Sequence, residues 1–193
     1  MTTALVRAAA PAADPVTLAE AKAHCRVDFT DHDGEIGGFI SAAVAHIDAL
    51  GTLGRAMVTQ DWAQWEPQSP GWVRLDLGPF QSLQSVEYYD AAGVLQSATL
   101  SDFETRLQGD YVVCKPKDNA AWPNADARAD AIKITYRVGY GDAADVPVNI
   151  KQAILMLVAH WYENREASSE GKLMAVPMGV DYLLSTERVS WYG

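Results

Sequence analysis

QAILMLVAHWYENRE, residues 152–166, has the period of a helix, yet it is apolar almost all the way round. On a helical wheel Ile150, Ile154, Leu157, Val158 and Trp161 form one face. Leu155, Ala159 and Tyr162 carry the apolar arc well past the width a surface helix needs. Gln152, His160, Glu163 and Asn164 leave too thin a polar strip for a freely solvated side. Such a helix is expected to be covered on both sides, one cover being a second copy of the chain. Leu155, Ala159, Tyr162 and Arg165 are the expected subunit contacts.

Working outward, GYGDAADVP precedes this helix, and Pro147 suits its first turn. Upstream the period changes from helical to alternating. AIKITYRV sets Ile132, Ile134, Tyr136 and Val138 against Lys133, Thr135 and Arg137, and WVRLDL alternates in the same way. SVEYYDAAGVLQ reads as strand, tight turn and strand, with Gly93 supplying the turn, and YVVCK as a further strand. Nearer the start, Thr17 and Glu20 have capping-box spacing before a short helix. Ile36, Phe39, Ile40, Ala43, Val44 and Ile47 then make a helical stripe, with Gly51 as a stop. Gly37 and Gly38 imply either a loose first turn or something packed closely there. Downstream, MGVDYLLSTERV offers a last short helix on Val180, Leu183 and Leu184.

The order of helices, strands and helices predicts an α+β fold: packed helices from both ends of the chain, with a central antiparallel β section inserted between them. The expected boundaries are a flexible N-terminal arm over 1–15, helical core over 16–55 and 141–187, β insertion over 56–140, and a tail over 188–193.

The formal net charge of -10 and the lack of any basic run exclude a protein that grips nucleic acid by its phosphates. An acidic wall past which DNA slides is compatible with it. Two cysteines, Cys25 and Cys114, share no metal or redox spacing and read as buried free thiols. The apolar run from Ala153 to Ala159 is too short to span a bilayer, and MTTALVRAAAPAADP lacks the clean apolar block of a secretory signal, so a soluble protein is expected.

No catalytic pattern survives inspection. His160 and Glu163 lie one turn apart, but the second histidine of a metalloprotease helix is absent. DHDGE, residues 31–35, puts Ile36 and Ala42 where a calcium loop needs glycine and glutamate, so helix capping explains its acids. GYGDAA has Ala144 where a dinucleotide fingerprint needs glycine. Neither an enzyme nor a cofactor or metal site is expected. Six tryptophans raise a glycan-binding module as an alternative, which would require Trp62, Trp65 and Trp72 on one exposed face. Trp191 and Tyr192, so near the terminus, suit a tail that docks on a partner.

Several segments together resemble the head–tail connector (adaptor, or head-completion) proteins of tailed phages and gene transfer agents: VTLAEAKAHCRVD, GRAMVTQDW, ITYRVGYG, VPVNIKQAILMLVAHWYENRE and VPMGVDYLL. Cys25, in place of a leucine, and the acidic DHDGEIGG depart from that pattern. The resemblance implies a structural connector, made in the cytoplasm of a bacterial host and located in the particle neck. It would form a ring, dodecameric, below the portal protein, join it to stopper or tail proteins, and surround the DNA exit channel without specific DNA binding. It further implies portal binding by Val189, Trp191 and Tyr192. A tail-completion or stopper protein on the same scaffold is the alternative within the particle.

Overall fold

A computed structural model describes residues 4–68, 70–109, 111–164 and 178–188. It comprises eight strands, four α-helices and two short 3-10 turns, in the α+β arrangement expected. The chain divides into two compact units, each assembled from separate segments: residues 1–12 with 59–139, and residues 13–58 with 140–193.

The first unit is built of strands, with one 3-10 turn at Leu100–Asp102. Strands β1 (Ala4–Ala9), β2 (Gln60–Glu66), β4 (Phe80–Tyr89), β5 (Leu95–Ser97) and β8 (Ile132–Val138) form a five-stranded antiparallel sheet in the order β1-β2-β8-β4-β5. Strands β3 (Val73–Leu75), β6 (Phe103–Gln108) and β7 (Tyr111–Pro116) form a second, ordered β3-β7-β6. At the centre of the larger sheet, β8 buries Ile132, Ile134, Tyr136 and Val138 and leaves Lys133, Thr135 and Arg137 half-covered. That alternation is the one read from the sequence. Gly93, at φ 74, closes the β4–β5 hairpin with the Asp90 carboxylate accepting from Ala92 and Val94 N–H.

One expectation fails at the start of the chain. Residues 4–9 are not a loose arm but the edge strand β1, which pairs with β2 from Ala4↔Trp65 to Arg7↔Trp62. Their low polarity, which suits an edge strand, carries no alternation because all but Leu5 are exposed.

The second unit is helical: α1 (Leu18–Cys25), α2 (Asp33–Ile47), α3 (Val148–Glu163) and α4 (Met178–Ser185). Helix α1 starts on the expected capping box, with Glu20 N–H donating to Thr17 Oγ1 and Thr17 N–H donating to Glu20. These bonds hold the Glu20 carboxyl below the usual range, the backbone N–H of Thr17 being the largest cause. At its other end Arg26 adopts a left-handed conformation, φ 56, that returns its N–H to the last carbonyls. Helix α2 buries Ile36, Ile40, Ala43 and Ile47. It stops at Ile47 and not at Gly51. Gly51 instead presses against the His46 carbonyl, where a Cβ would collide, so the turn after the helix needs glycine. A Cβ built on Gly37 or Gly38 meets nothing within 4 Å, which removes close packing as their reason.

Candidate assembly surfaces

Helix α3 is the centre of the helical unit. Ile150, Ala153, Ile154, Leu157 and Val158 are buried, and α1, α2 and α4 all pack on it. Gly179 lets α4 come close, since a Cβ there would lie 2.8 Å from Met156 Cε. The chain therefore supplies more of the cover for α3 than the sequence reading allowed. Leu155 and Tyr162 pack partly against the core, and Ala159 is likewise half-buried. Tyr162 is held by His32, whose Nδ1 is 2.8 Å from its hydroxyl, and Phe29 stacks edge-on to the same imidazole. Val148, on the same outward stripe at the start of α3, is 75% exposed. Arg165, the fourth expected contact, lies outside the described residues, as do Val189, Trp191 and Tyr192.

The candidate reactive groups are not brought together. Glu163 is exposed, while His160 is half-buried with its Nδ1 3.4 Å from Asn164 Nδ2. Asp33 is paired with Lys22 across the α1–α2 corner, consistent with a structural use of the acids in residues 31–35. Among the described residues no cluster of three His, Cys, Asp or Glu could hold a metal ion. Both cysteines are free. Burial pushes the Cys114 thiol up to about 12, and burial followed by the charge of Glu163 raises Cys25, so neither is a ready nucleophile. Gly139 and Gly141, at φ 124 and 137, carry the chain out of β8 into a 3-10 turn capped by Asp142, as a strand exit and not a phosphate loop.

The tryptophans do not form a sugar platform. Trp62 is buried under Arg7 and donates to Gln60, Trp65 stacks on Tyr89, and only Trp72 of the three is well exposed. Around that stack the bases are matched by acids, Lys133 with Glu87 at 2.9 Å and Arg128 with Asp130 at 2.6 Å, and further along β8 Arg137 pairs with Asp61 at 2.7 Å. This aromatic and basic neighbourhood thus carries little spare positive charge for phosphates. A shallow polar depression of about 380 Å³ beside β6 is lined by Asp102, Glu104, Lys117 and Asp118.

Sequence reasoning missed one internal site. Gln64, wholly buried on β2, binds four partners: its Nε2 donates to Glu66 Oε1 at 2.8 Å and to the Arg74 carbonyl at 2.7 Å. Its Oε1 accepts from Asp76 N–H at 3.1 Å and from the Tyr136 hydroxyl at 3.1 Å. The side chain thereby ties β2 to the end of β3 in the other sheet. Burial raises the Glu66 carboxyl above its usual range and raises Tyr136 as well. The available signal was the even spacing of Gln60, Trp62, Gln64 and Glu66, which places four hydrogen-bonding side chains on one strand face.

The two units also differ in charge. The helical unit has fourteen Asp and Glu against seven Lys and Arg, the β unit eleven against eight. Among the described residues no helix is long and apolar enough to cross a membrane.

A comparison with curated protein sequences finds no match. Among solved structures the fold is similar to a chain in the neck of an empty gene transfer agent particle, computed with C6 symmetry. The TM-score is 0.76 at 20% identity, over 97% of this chain and 96% of that one. It is also similar to a chain in the virion of a native gene transfer agent particle, with TM-score 0.74, 21% identity and coverage of 96% and 95%. A chain in the neck of a native particle, computed with C12 symmetry, gives TM-score 0.70, 19% identity and coverage of 97% and 96%. At these identities the likeness establishes the fold. The family model described as head completion protein matches residues 16–172, most of both units, and the chain belongs to the head completion protein family.

Proposed function

We propose that the protein is a structural adaptor in the neck of a tailed phage or gene transfer agent particle, where copies form a ring around the DNA exit channel beneath the portal. The observation that carries this reading is the family match over residues 16–172, and the likeness of nearly the whole fold to chains from particle necks supports it. A ring of twelve is compatible with both neck symmetries, because a twelvefold ring also obeys sixfold symmetry. Such a protein works by shape and buried contact. In a cyclic ring each copy presents two different patches, one to each neighbour. The excess of acid in the helical unit lets DNA pass without adhering.

Leu155, Ala159, Tyr162 and Arg165 are assigned to contacts between copies, and Val189, Trp191 and Tyr192 to the portal, with stopper or tail proteins on the ring's far side. Electron microscopy of purified particles tests the reading: a ring of this chain between portal and tail is expected, and its location elsewhere in the particle overturns it. Truncation after Val189 tests the portal contact separately. A folded protein that no longer enters portal-containing particles is expected, and normal incorporation refutes the assignment.

A further inference from the structure

Two apolar patches of the helical unit match each other in spacing and chemistry. The first is the outward stripe of α3, made of Val148, Leu155, Ala159 and Tyr162, opposite the buried Ile154 and Leu157. Val148 is 75% exposed and the other three are half-buried, so the stripe is accessible along its length, with small Ala159 as a dent between Leu155 and Tyr162. The second patch is on α4. That helix turns Val180 and Leu184 inward, and its opposite side carries Met178 and Tyr182, 90% and 79% exposed. These two have the highest exposures among the exposed large hydrophobics of the described residues. They are four residues apart, about 6 Å along the helix, which is also the rise from Leu155 to Ala159. Beside them Arg188 pairs with Asp181 at 2.7 Å, a polar margin of the kind that borders an interface core.

We propose that Met178 and Tyr182 of one copy seat on the Val148–Leu155–Ala159–Tyr162 stripe of the next, and that this knob-and-stripe contact is the repeating interface of the ring. The inference rests on the ring reading and names its contact. The occupant is a second copy because one chain carries both halves, on different helices, as a heterologous cyclic interface requires. Ridges spaced by four residues on each helix interlock in the commonest helix-packing geometry, and the α3 dent accepts a long side chain. The subunit surface expected from α3 alone thus gains its counterpart on α4.

The test uses assembled particles carrying the full chain with Cys25→Ser, so that buried Cys114 is the remaining native thiol. One variant adds Ala159→Cys with Tyr182→Cys. A second adds Leu155→Cys with Met178→Cys, each position one turn along its helix from the first pair. After mild oxidation, either pair is expected to give a ladder of covalent multimers of this chain on a non-reducing denaturing gel, while each single-cysteine variant, whose thiol faces no second cysteine across a heterologous contact, stays monomeric. Particles whose necks show the ring by microscopy, but in which both pairs yield only monomer bands, overturn the proposed contact and leave the ring reading standing. Necks that hold no ring of this chain overturn both.

Discussion

The two units reach a packed interior by different chemistry. Around α3 the interior is aliphatic: Ile150, Ile154, Leu157 and Leu184 are fully buried, and Ile36 and Ile47 join them from α2. The β unit buries comparable aliphatics on β8 but sets the wholly buried Gln64, with Glu66 and Tyr136, among its strands. An apolar contact is tolerant of direction and scales with area. A buried amide is costly unless each of its partners is in place, so it fixes the register of the strands it joins. Apart from buried Asp48, which accepts from Met57 N–H at the end of α2, the helical unit is thus held by volume, and the β unit in part by geometry.

Substitutions can break that contrast at either end. Leu157→Ala removes a fully buried side chain from the middle of α3 and should cost about 2–5 kcal/mol in chemical denaturation. Gln64→Leu keeps the volume but strands four hydrogen-bonding groups. A loss of about 2–3 kcal/mol is expected, and a neutral result would show that Gln64 is no more than filler. Gly38→Ala works in the opposite direction: the position is helical and open, so a gain of about 0.5–1 kcal/mol should appear as a raised Tm.

Glu66→Gln sharpens the comparison by pH. Burial raises the Glu66 carboxyl in the folded state, so the folded protein favours the protonated form. Its contribution is best below the pKa of the unfolded chain and is lost as pH rises through the folded value. The variant, neutral at every pH, should melt higher than the parent at neutral pH and converge with it in acid. A difference that is the same at all pH values would mean that burial of the charge is not what limits stability there.

Much of the helical unit was legible because its residues obey one rule at a time. The Thr17–Glu20 box, the Ile36–Ile47 stripe and the Val180–Leu184 pair all sit where period and capping place them. Strand β8 was equally plain, since one face is buried and the other is not. Strand β1 was not, because an edge strand exposed on nearly all positions shows no alternation, and its partner lies some fifty residues downstream. Strand β2 hid for the reverse reason: its buried face is polar, and polarity reads as surface. On α3 the surplus of apolar residues was visible, but the share taken up by α1, α2 and α4 was not, because periodicity counts the faces of one helix and not its neighbours. The α4 knob was half-visible. Its buried side gave the period, whereas Met178 and Tyr182 stood out only once their exposure was known.

The strand at residues 4–9 sits before the span that the family model matches, yet it zips onto Gln60–Glu66 as the outermost ribbon of the larger sheet. Anyone trimming the gene to the recognised span would therefore unzip a ribbon rather than remove a loose end. The newly bare flank of β2 would offer its backbone to whatever strand came near. A shortened version meant for crystallisation or tagging would clump, and that stickiness would originate in the cut and not in the helical faces.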